Sequence, residues 1–79
     1  MNIDNKKRLY LVCGTMDDFA KFIMPRNLSD VVWVRAPRVL RSPAAIEGQI
    51  LFLDSGMKRS DITEIEKIAA ENRMKNVML

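Results

Sequence analysis

Three short runs of consecutive apolar residues constrain the fold of this chain more than any other feature. The runs cover residues 9–13, 31–34 and 50–53. None of them alternates apolar with polar residues, so each predicts a strand that is buried on both faces. Such strands occur almost only in parallel sheets, where consecutive strands require a crossover connection that is usually a helix. The runs therefore predict a parallel sheet covered by helices.

The segments between the runs carry helix signals. Thr15 is a good N-cap, and the apolar residues after it recur at helical spacing, which predicts a first helix over residues 15–24. We expect Pro25 to end this helix, because the residue before a proline avoids the α-helical region. Residues 42–48 combine a serine cap, a proline at the first helical position and a closing glycine, which predicts one helical turn.

The last third of the chain predicts a turn, a long helix and a short strand. Residues 54–56 have the composition of a turn. Ser60 or Asp61 then caps the longest helix, and we expect Asn72 to end that helix in the left-handed conformation. Residues 77–79 predict a final strand.

The resulting order is β-α-β-(short α)-β-α-β, which is typical of the α/β class. We predict a small three-layer Rossmann-like unit with a mainly parallel four-stranded sheet in the order 2-1-3-4. The 79 residues are enough for a single α/β domain, 1–79. A chain this short buries only about 60–65% of its unfolded surface, and its sheet edges need cover. We therefore expect a homodimer in which residues 77–79 pair with a second copy.

The composition excludes several kinds of chemistry. The sequence contains no histidine and one cysteine, Cys13, so a disulfide scaffold, a zinc finger and a Cys–His nucleophile pair are excluded within one chain. We expect no metal and no cofactor. Cys13 has no histidine to activate it, and we interpret it as a buried strand residue. A lone thiol fits a reducing compartment, and no apolar run approaches the roughly 18 residues of a membrane span, so we expect a cytoplasmic protein.

A ligand site is one hypothesis for the predicted fold. In open parallel sheets, ligands bind beyond the carboxyl ends of the strands, at the point where the strand order reverses. That point lies between the first and third strands and brings together Gly14, Thr15, Asp54, Ser55 and Gly56. These residues predict a nucleotide or phosphate-ligand binder, with an enzyme as one form of this hypothesis. Acidic residues in the first turn of the first helix oppose such an anion.

A basic surface is the other hypothesis. Arg35, Arg38 and Arg41 lie in a segment without acidic residues, and Lys58 and Arg59 precede the long helix. Arginine is suited to bidentate contact with carboxylates and phosphates. The segment is therefore a solvated loop, a contact for an acidic protein surface, or a contact for a nucleic-acid backbone. The net charge of +3 is too small to indicate nucleic acid by itself.

The methionines allow two interpretations. Six methionines occur in 79 residues, and methionine serves both as a filler of core gaps and as an adaptable contact surface. Five of them fit either role: Met16, Met24, Met57, Met74 and Met78.

Residues 8–15, 39–41, 50–54 and 59–62 together resemble the short single-domain α/β proteins that tailed bacteriophages encode. The resemblance implies an accessory protein that acts in the host cytoplasm by binding and modulating a host or viral machine. It implies no catalytic residue.

We therefore predict a non-enzymatic binding protein that modulates or inhibits a larger host or viral protein through Arg35, Arg38, Arg41, Lys58 and Arg59. The ligand binder at the strand ends and the nucleic-acid-backbone binder stay open as alternatives.

Overall fold

The computed structural model describes residues 8–28 and 30–77, which form a four-stranded sheet. Its strands are Leu9–Val12 (β1), Val31–Trp33 (β2), Gln49–Phe52 (β3) and Lys75–Asn76 (β4). The strand order is β2-β1-β3-β4, and every neighbouring pair is parallel. The predicted class and strand order are confirmed.

The connections between the strands are helical. The α-helices are Met16–Arg26 (α1), Asp54–Met57 (α2) and Ile62–Glu71 (α3). A first 3₁₀ helix, Pro37–Arg41, and a second, Pro43–Ala45, lie between β2 and β3. Across the described ranges, no helix is long and apolar enough to cross a membrane.

The sheet separates two apolar clusters, so both of its faces are covered as predicted. The first cluster packs one face of β1 and β3 against α3 and the 3₁₀ helices, and its buried members are Tyr10, Val12, Val34, Leu40, Ala45, Ile50, Ile65, Ile68 and Ala69. The second lies on the α1 face, and its buried members are Leu9, Leu11, Cys13, Phe22, Leu51 and Val77. Neighbours along β1 belong to opposite clusters, because successive side chains of a strand point to opposite faces.

Helix α1 begins at the predicted cap and continues beyond its predicted end. The Asp18 N–H donates to Thr15 Oγ1 at 3.1 Å, which confirms the N-cap. The prediction that Pro25 ends the helix is wrong, because Pro25 lies inside its last turn. A proline so close to the C-terminus removes only one helical hydrogen bond. The helix ends where Asn27 adopts a left-handed conformation, with φ at 50°.

The connection from β2 to β3 differs from the prediction in two ways. The left-handed residue after the second 3₁₀ helix is Glu47, with φ at 58°, and not Gly48. Gly48 is buried, and a Cβ there would lie 3.2 Å from the Ala45 carbonyl oxygen. The sequence does not predict the first 3₁₀ helix, because Pro37 argues against a long helix in this segment. Pro37 instead occupies a first-turn position, where no backbone donor is needed.

The last third of the chain also departs from the prediction at its turns. Residues 54–56 belong to helix α2 and do not form a simple turn. The left-handed residue after α3 is Arg73, with φ at 54°, and not Asn72. Asn72 has a different role, because its Nδ2 donates to the Leu40 carbonyl oxygen at 2.6 Å and ties the end of α3 to the first 3₁₀ helix.

The final strand lies two residues earlier than predicted. Strand β4 covers Lys75–Asn76, and the N–H of Val77 continues the pairing by donating to the Ile50 carbonyl oxygen at 2.9 Å. Val77 is buried in the second cluster. The rest of the predicted strand, Met78 and Leu79, lies outside the described residues.

Gly56 fixes how closely α2 packs on β1. A Cβ at Gly56 would lie 2.3 Å from the carbonyl oxygen of Val12, so the backbone would have to move. At Gly14, the nearest atoms to an added Cβ belong to Ser55 and lie at 3.3 Å.

We expect Gly56→Ala to lower the free energy of unfolding by about 3 kcal/mol or to prevent folding, and Gly14→Ala to lower it distinctly less. Urea denaturation followed by circular dichroism measures both, and equal stability of the two variants would contradict the close approach.

Candidate functional site

The loops after β1 and β3 meet at the strand-order reversal, as predicted for the ligand hypothesis. The Gly14 N–H donates to Ser55 Oγ at 3.0 Å. Thr15 caps α1 through its hydroxyl oxygen, and its carbonyl oxygen accepts from the Phe19 N–H at 3.1 Å. The protein's own groups therefore bind two donors of this turn, the N–H groups of Gly14 and Asp18, that a phosphate would otherwise use.

The remaining predicted ligand residues leave little space beside β1. Gly56 is buried against the Val12 backbone, so α2 fills the position that a ligand would take between β1 and β3. Asp54 is exposed in the first turn of α2. A pocket of about 420 Å³ lies elsewhere, beside Arg8 and Gly48, and none of the predicted ligand residues lines it.

The Arg59 side chain binds backbone carbonyl groups at the carboxyl ends of β1 and β2. Its guanidinium donates to the carbonyl oxygens of Cys13 at 3.2 Å, of Val34, and of Arg35 at 2.9 Å. Its Nε and Nη2 bind the two carboxylate oxygens of Asp61 at 2.9 and 2.8 Å. Carbonyl groups at the end of a parallel strand have no partner in the ladder, and the planar fork of arginine supplies several donors at once. This arrangement joins two strands to the start of α3.

These contacts change the interpretation of two predicted residues. Only 14% of the Arg59 side chain is exposed, and its donors are bound within the chain. Asp61 precedes α3 as predicted, but its side chain binds Arg59 and makes no capping hydrogen bond. The structure thus separates Arg59 from the other four predicted contact residues, whose side chains are exposed.

Cys13 is buried next to this network. Its thiol donates to the Thr15 carbonyl oxygen at 3.5 Å, and its own carbonyl oxygen also accepts from Trp33 Nε1 at 3.3 Å. Burial raises the pKa of the Cys13 thiol above its ordinary value of 9.0, and the Asp18 carboxylate adds to the shift. A thiol that is buried and protonated is a poor nucleophile, which agrees with its interpretation as a buried strand residue.

The three arginines of the basic segment lie on and just before the first 3₁₀ helix. Arg38 and Arg41 are one turn apart, because a 3₁₀ helix has three residues per turn, and their side chains therefore share a face. Arg35 precedes the helix, and its guanidinium carbon lies 5.7 Å from the centre of the Trp33 ring. The sequence spacing thus aligns two of the three arginines.

Lys58 and two methionines are also exposed at the carboxyl end of the sheet. Lys58 is exposed, and its neighbour Arg59 reaches the Arg35 carbonyl, which brings Lys58 towards the basic segment. Met16 follows β1 and is 61% exposed, and Met57 ends α2 after β3 and is 46% exposed. We call Arg35, Arg38, Arg41 and Lys58 the basic surface.

The sequence does not predict two features of this region. One is the cap that Arg59 forms, since its partners lie 46, 25 and 24 residues away along the chain and no local pattern marks them. The other is the stacking of Phe19 on Trp33, with ring centres 6.3 Å apart. Helical spacing marks Phe19 as apolar, but only the strand order brings it to Trp33.

The carboxyl end of the sheet therefore combines an internally bonded network with an exposed basic surface. No group of three or more acidic or cysteine side chains within the described part of the chain is placed to hold a metal ion. No protein-family model, curated protein sequence or solved structure matches this chain.

The Arg59 cap generates a stability prediction. We expect Arg59→Ala to lower the free energy of unfolding by about 2–4 kcal/mol, because it leaves several carbonyl groups and the Asp61 carboxylate without their charged partner. Arg59→Lys should recover only part of the loss, since an ammonium group cannot reproduce the planar fork. The matched control is Arg38→Ala, which removes an exposed arginine and should change stability by less than about 0.5 kcal/mol. Urea denaturation that gives Arg59→Ala and Arg38→Ala equal stability would contradict the cap.

The Cys13 thiol generates a pH prediction. Because its pKa is raised on folding, the folded state holds the thiol proton more tightly than the unfolded chain does. The resulting stability is complete well below pH 9.0, the ordinary pKa of the thiol, and is lost as the pH rises through the raised pKa of the folded state. We expect the free energy of unfolding of the wild type to fall relative to that of Cys13→Ala between about pH 8 and pH 10.5. A difference that stays constant over this range, in urea titrations at each pH, would disprove the assignment.

Proposed function

We propose that this chain is a non-enzymatic binding protein that modulates or inhibits a larger protein by placing the basic surface against an acidic region of its partner. The observation that carries the proposal is the exposure of four cationic side chains close to one end of the sheet. Because arginine forms bidentate pairs with carboxylates, the surface fits Asp and Glu side chains. A host or viral machine protein is the partner that we propose.

The charges of the basic surface have few internal partners. Among the described residues, no carboxylate lies within 4.0 Å of the cationic groups of Arg35, Arg38 or Lys58. Arg41 lies 4.0 Å from Glu64, and both side chains are more than half exposed. An exposed pair of this kind contributes about 0–1 kcal/mol, so a partner carboxylate can replace Glu64 at small cost.

The basic segment is held on a rigid support. Leu40, between Arg38 and Arg41, is fully buried in the first cluster, and its carbonyl oxygen accepts from Asn72. These contacts fix the 3₁₀ helix on α3, so its two arginines lose little backbone freedom on binding. A preorganised surface binds more tightly than a mobile loop with the same charges.

Exposed methionines at the same end of the sheet support a protein partner over a phosphate backbone. Met16 and Met57 follow the carboxyl ends of β1 and β3 and offer flexible apolar contacts there. Protein interfaces are enriched in methionine and arginine, whereas a nucleic-acid backbone is bound chiefly by charge.

The test is a pull-down from a bacterial lysate with tagged protein, with and without nuclease, read by mass spectrometry. We expect a stoichiometric protein that nuclease does not remove, and at least about a tenfold loss of it with Arg35→Ala/Arg38→Ala/Arg41→Ala, since interface arginines each contribute about 1 kcal/mol or more.

The matched control is Arg8→Ala/Lys21→Ala/Lys75→Ala, which removes three exposed positive charges from α1 and from the amino ends of β1 and β4. It should keep the partner, and both triple variants should keep the wild-type circular dichroism spectrum. Equal loss of the captured partner with both triple variants would indicate an effect of net charge. Partners that disappear after nuclease treatment would indicate binding through nucleic acid. Either result would overturn the proposal.

A further inference from the structure

We infer that the chain forms a twofold dimer in which the free edge of β2 pairs antiparallel with β2 of a second copy. The occupant of this edge is thus the same chain, and the inference goes beyond the proposed function. In the described part of the chain, this edge has backbone groups without a strand partner, an uncharged apolar strand, and opposite charges at its two ends.

The hydrogen bonds to β1 define which β2 groups point outward. The Leu9 N–H donates to the Asp30 carbonyl oxygen at 3.2 Å, and the Val34 N–H donates to the Leu11 carbonyl oxygen at 2.9 Å. Backbone groups alternate in direction along a strand, so Val32 also faces β1. The N–H and C=O groups of Val31 and Trp33 therefore point away from the sheet.

The other edge of the sheet is less suited to pairing. In β4, the N–H groups of Lys75 and Val77 face β3, since they donate to Gly48 and Ile50 carbonyl oxygens at 2.8 and 2.9 Å. Among the described residues of this edge, only Asn76 then points its backbone outward. Exposed lysine on a short edge strand is also a common protection against pairing, whereas Val31–Trp33 contains no charge.

The outward groups define one register. An antiparallel pair bonds best when outward-facing residues lie opposite each other, which places Val31 opposite Trp33 of the second copy. Val32 then lies on the twofold axis, opposite Val32 of the second copy, as a pair without hydrogen bonds between them. The outward carbonyl of Trp33 already accepts from the Arg35 N–H at 3.0 Å and retains a second lone pair.

Charges at the two ends of β2 complement each other in this register. Asp30 precedes the strand, Arg35 follows it, and both are exposed. Antiparallel pairing brings the Asp30 end of each strand beside the Arg35 end of the other. Asp30 leaves the extended conformation, with φ at 57°, so its side chain does not follow the alternation of β2, and the long arginine side chain of the second copy reaches towards it. The dimer therefore gains two symmetric Asp30–Arg35 pairs, whereas parallel pairing would place like charges together.

The proposed dimer leaves most of the basic surface accessible. Arg35 becomes shared between the dimer contact and that surface, while Arg38, Arg41 and Lys58 stay free for a partner. Strands of three residues bury little area, so we expect a weak dimer with a Kd in the micromolar range or above.

The first test is sedimentation equilibrium from about 1 μM to about 1 mM, the range in which a small interface associates. Asp30→Lys and Arg35→Glu each place like charges across the axis, and each should raise the dimer Kd at least tenfold. An equimolar mixture restores opposite charges at both contacts, so it should form heterodimers with near wild-type affinity. Lysine is tolerated at Asp30, where φ is 57°, because Glu47 and Arg73 adopt the same conformation.

Two outcomes would overturn the inference. One is a wild-type protein that stays monomeric at every concentration, and the other is a dimer that both single variants leave intact. A mixture that stays monomeric, with both variants folded by circular dichroism, would also contradict the register.

Disulfide trapping tests the same twofold axis with a substitution that changes no charge. Paired residues that are not hydrogen-bonded to each other have Cα atoms about 4.5 Å apart, which a disulfide can bridge. Under mild oxidation, Val32→Cys should form a covalent dimer at least tenfold faster than Asn76→Cys, the control at the β4 edge. The native Cys13 is buried and does not compete. Equal rates, or faster trapping through Asn76→Cys, would overturn the inference.

Discussion

The guanidinium of Arg59 holds together the end of the sheet where β1 and β2 stop. Parallel strands that end side by side leave carbonyl groups without ladder partners, and burying them unpaired would cost about 1–3 kcal/mol each. One arginine binds three of these carbonyls and, through Asp61, the start of α3. Because the charge of Arg59 is balanced by Asp61, the network is closed within the chain. The segment that leaves β2 is fixed by the same contacts, since two of the carbonyls belong to Val34 and Arg35.

The usual ligand position of an open parallel sheet also has structural contacts in this chain. The reversal of strand order lies between β1 and β3, where phosphate-binding folds leave backbone donors and a crevice free. Here Ser55 binds the Gly14 N–H, and Gly56 allows α2 to lie directly on β1. A small chain has little other core with which to anchor a short helix. The exposed cationic groups of the basic surface lie elsewhere, on the first 3₁₀ helix and in the segments before it and after α2.

The sequence predicts the parts of the fold that depend on patterns a few residues long. Unbroken apolar runs predict buried strands, and the Thr15 cap predicts the start of α1, because each depends on neighbouring residues only. The helix ends are harder to predict. Helix α1 continues past Pro25 and ends at the left-handed Asn27, where local hydrogen bonds to the Ile23 and Met24 carbonyls close it. At the end of α3, a tertiary hydrogen bond from Asn72 to the Leu40 carbonyl outweighs the signal of Asn72, and Arg73 takes the left-handed conformation. For the same reason, the sequence marks Arg59 as a charge but not as a cap, since its partners come from three distant segments.

Strand β2 connects the two surfaces that this fold leaves available. It is an edge strand because the chain crosses from β2 over β1 to reach β3, so within residues 8–28 and 30–77 only one side of β2 is paired. The residues that follow β2 do not cover the other side, since they form the 3₁₀ helices and pack on α3. The same path that exposes the β2 edge carries the basic segment away from the sheet. An edge contact and a partner contact can therefore occur together, because backbone groups of Val31 and Trp33 form the first and the side chains of Arg38 and Arg41 form the second.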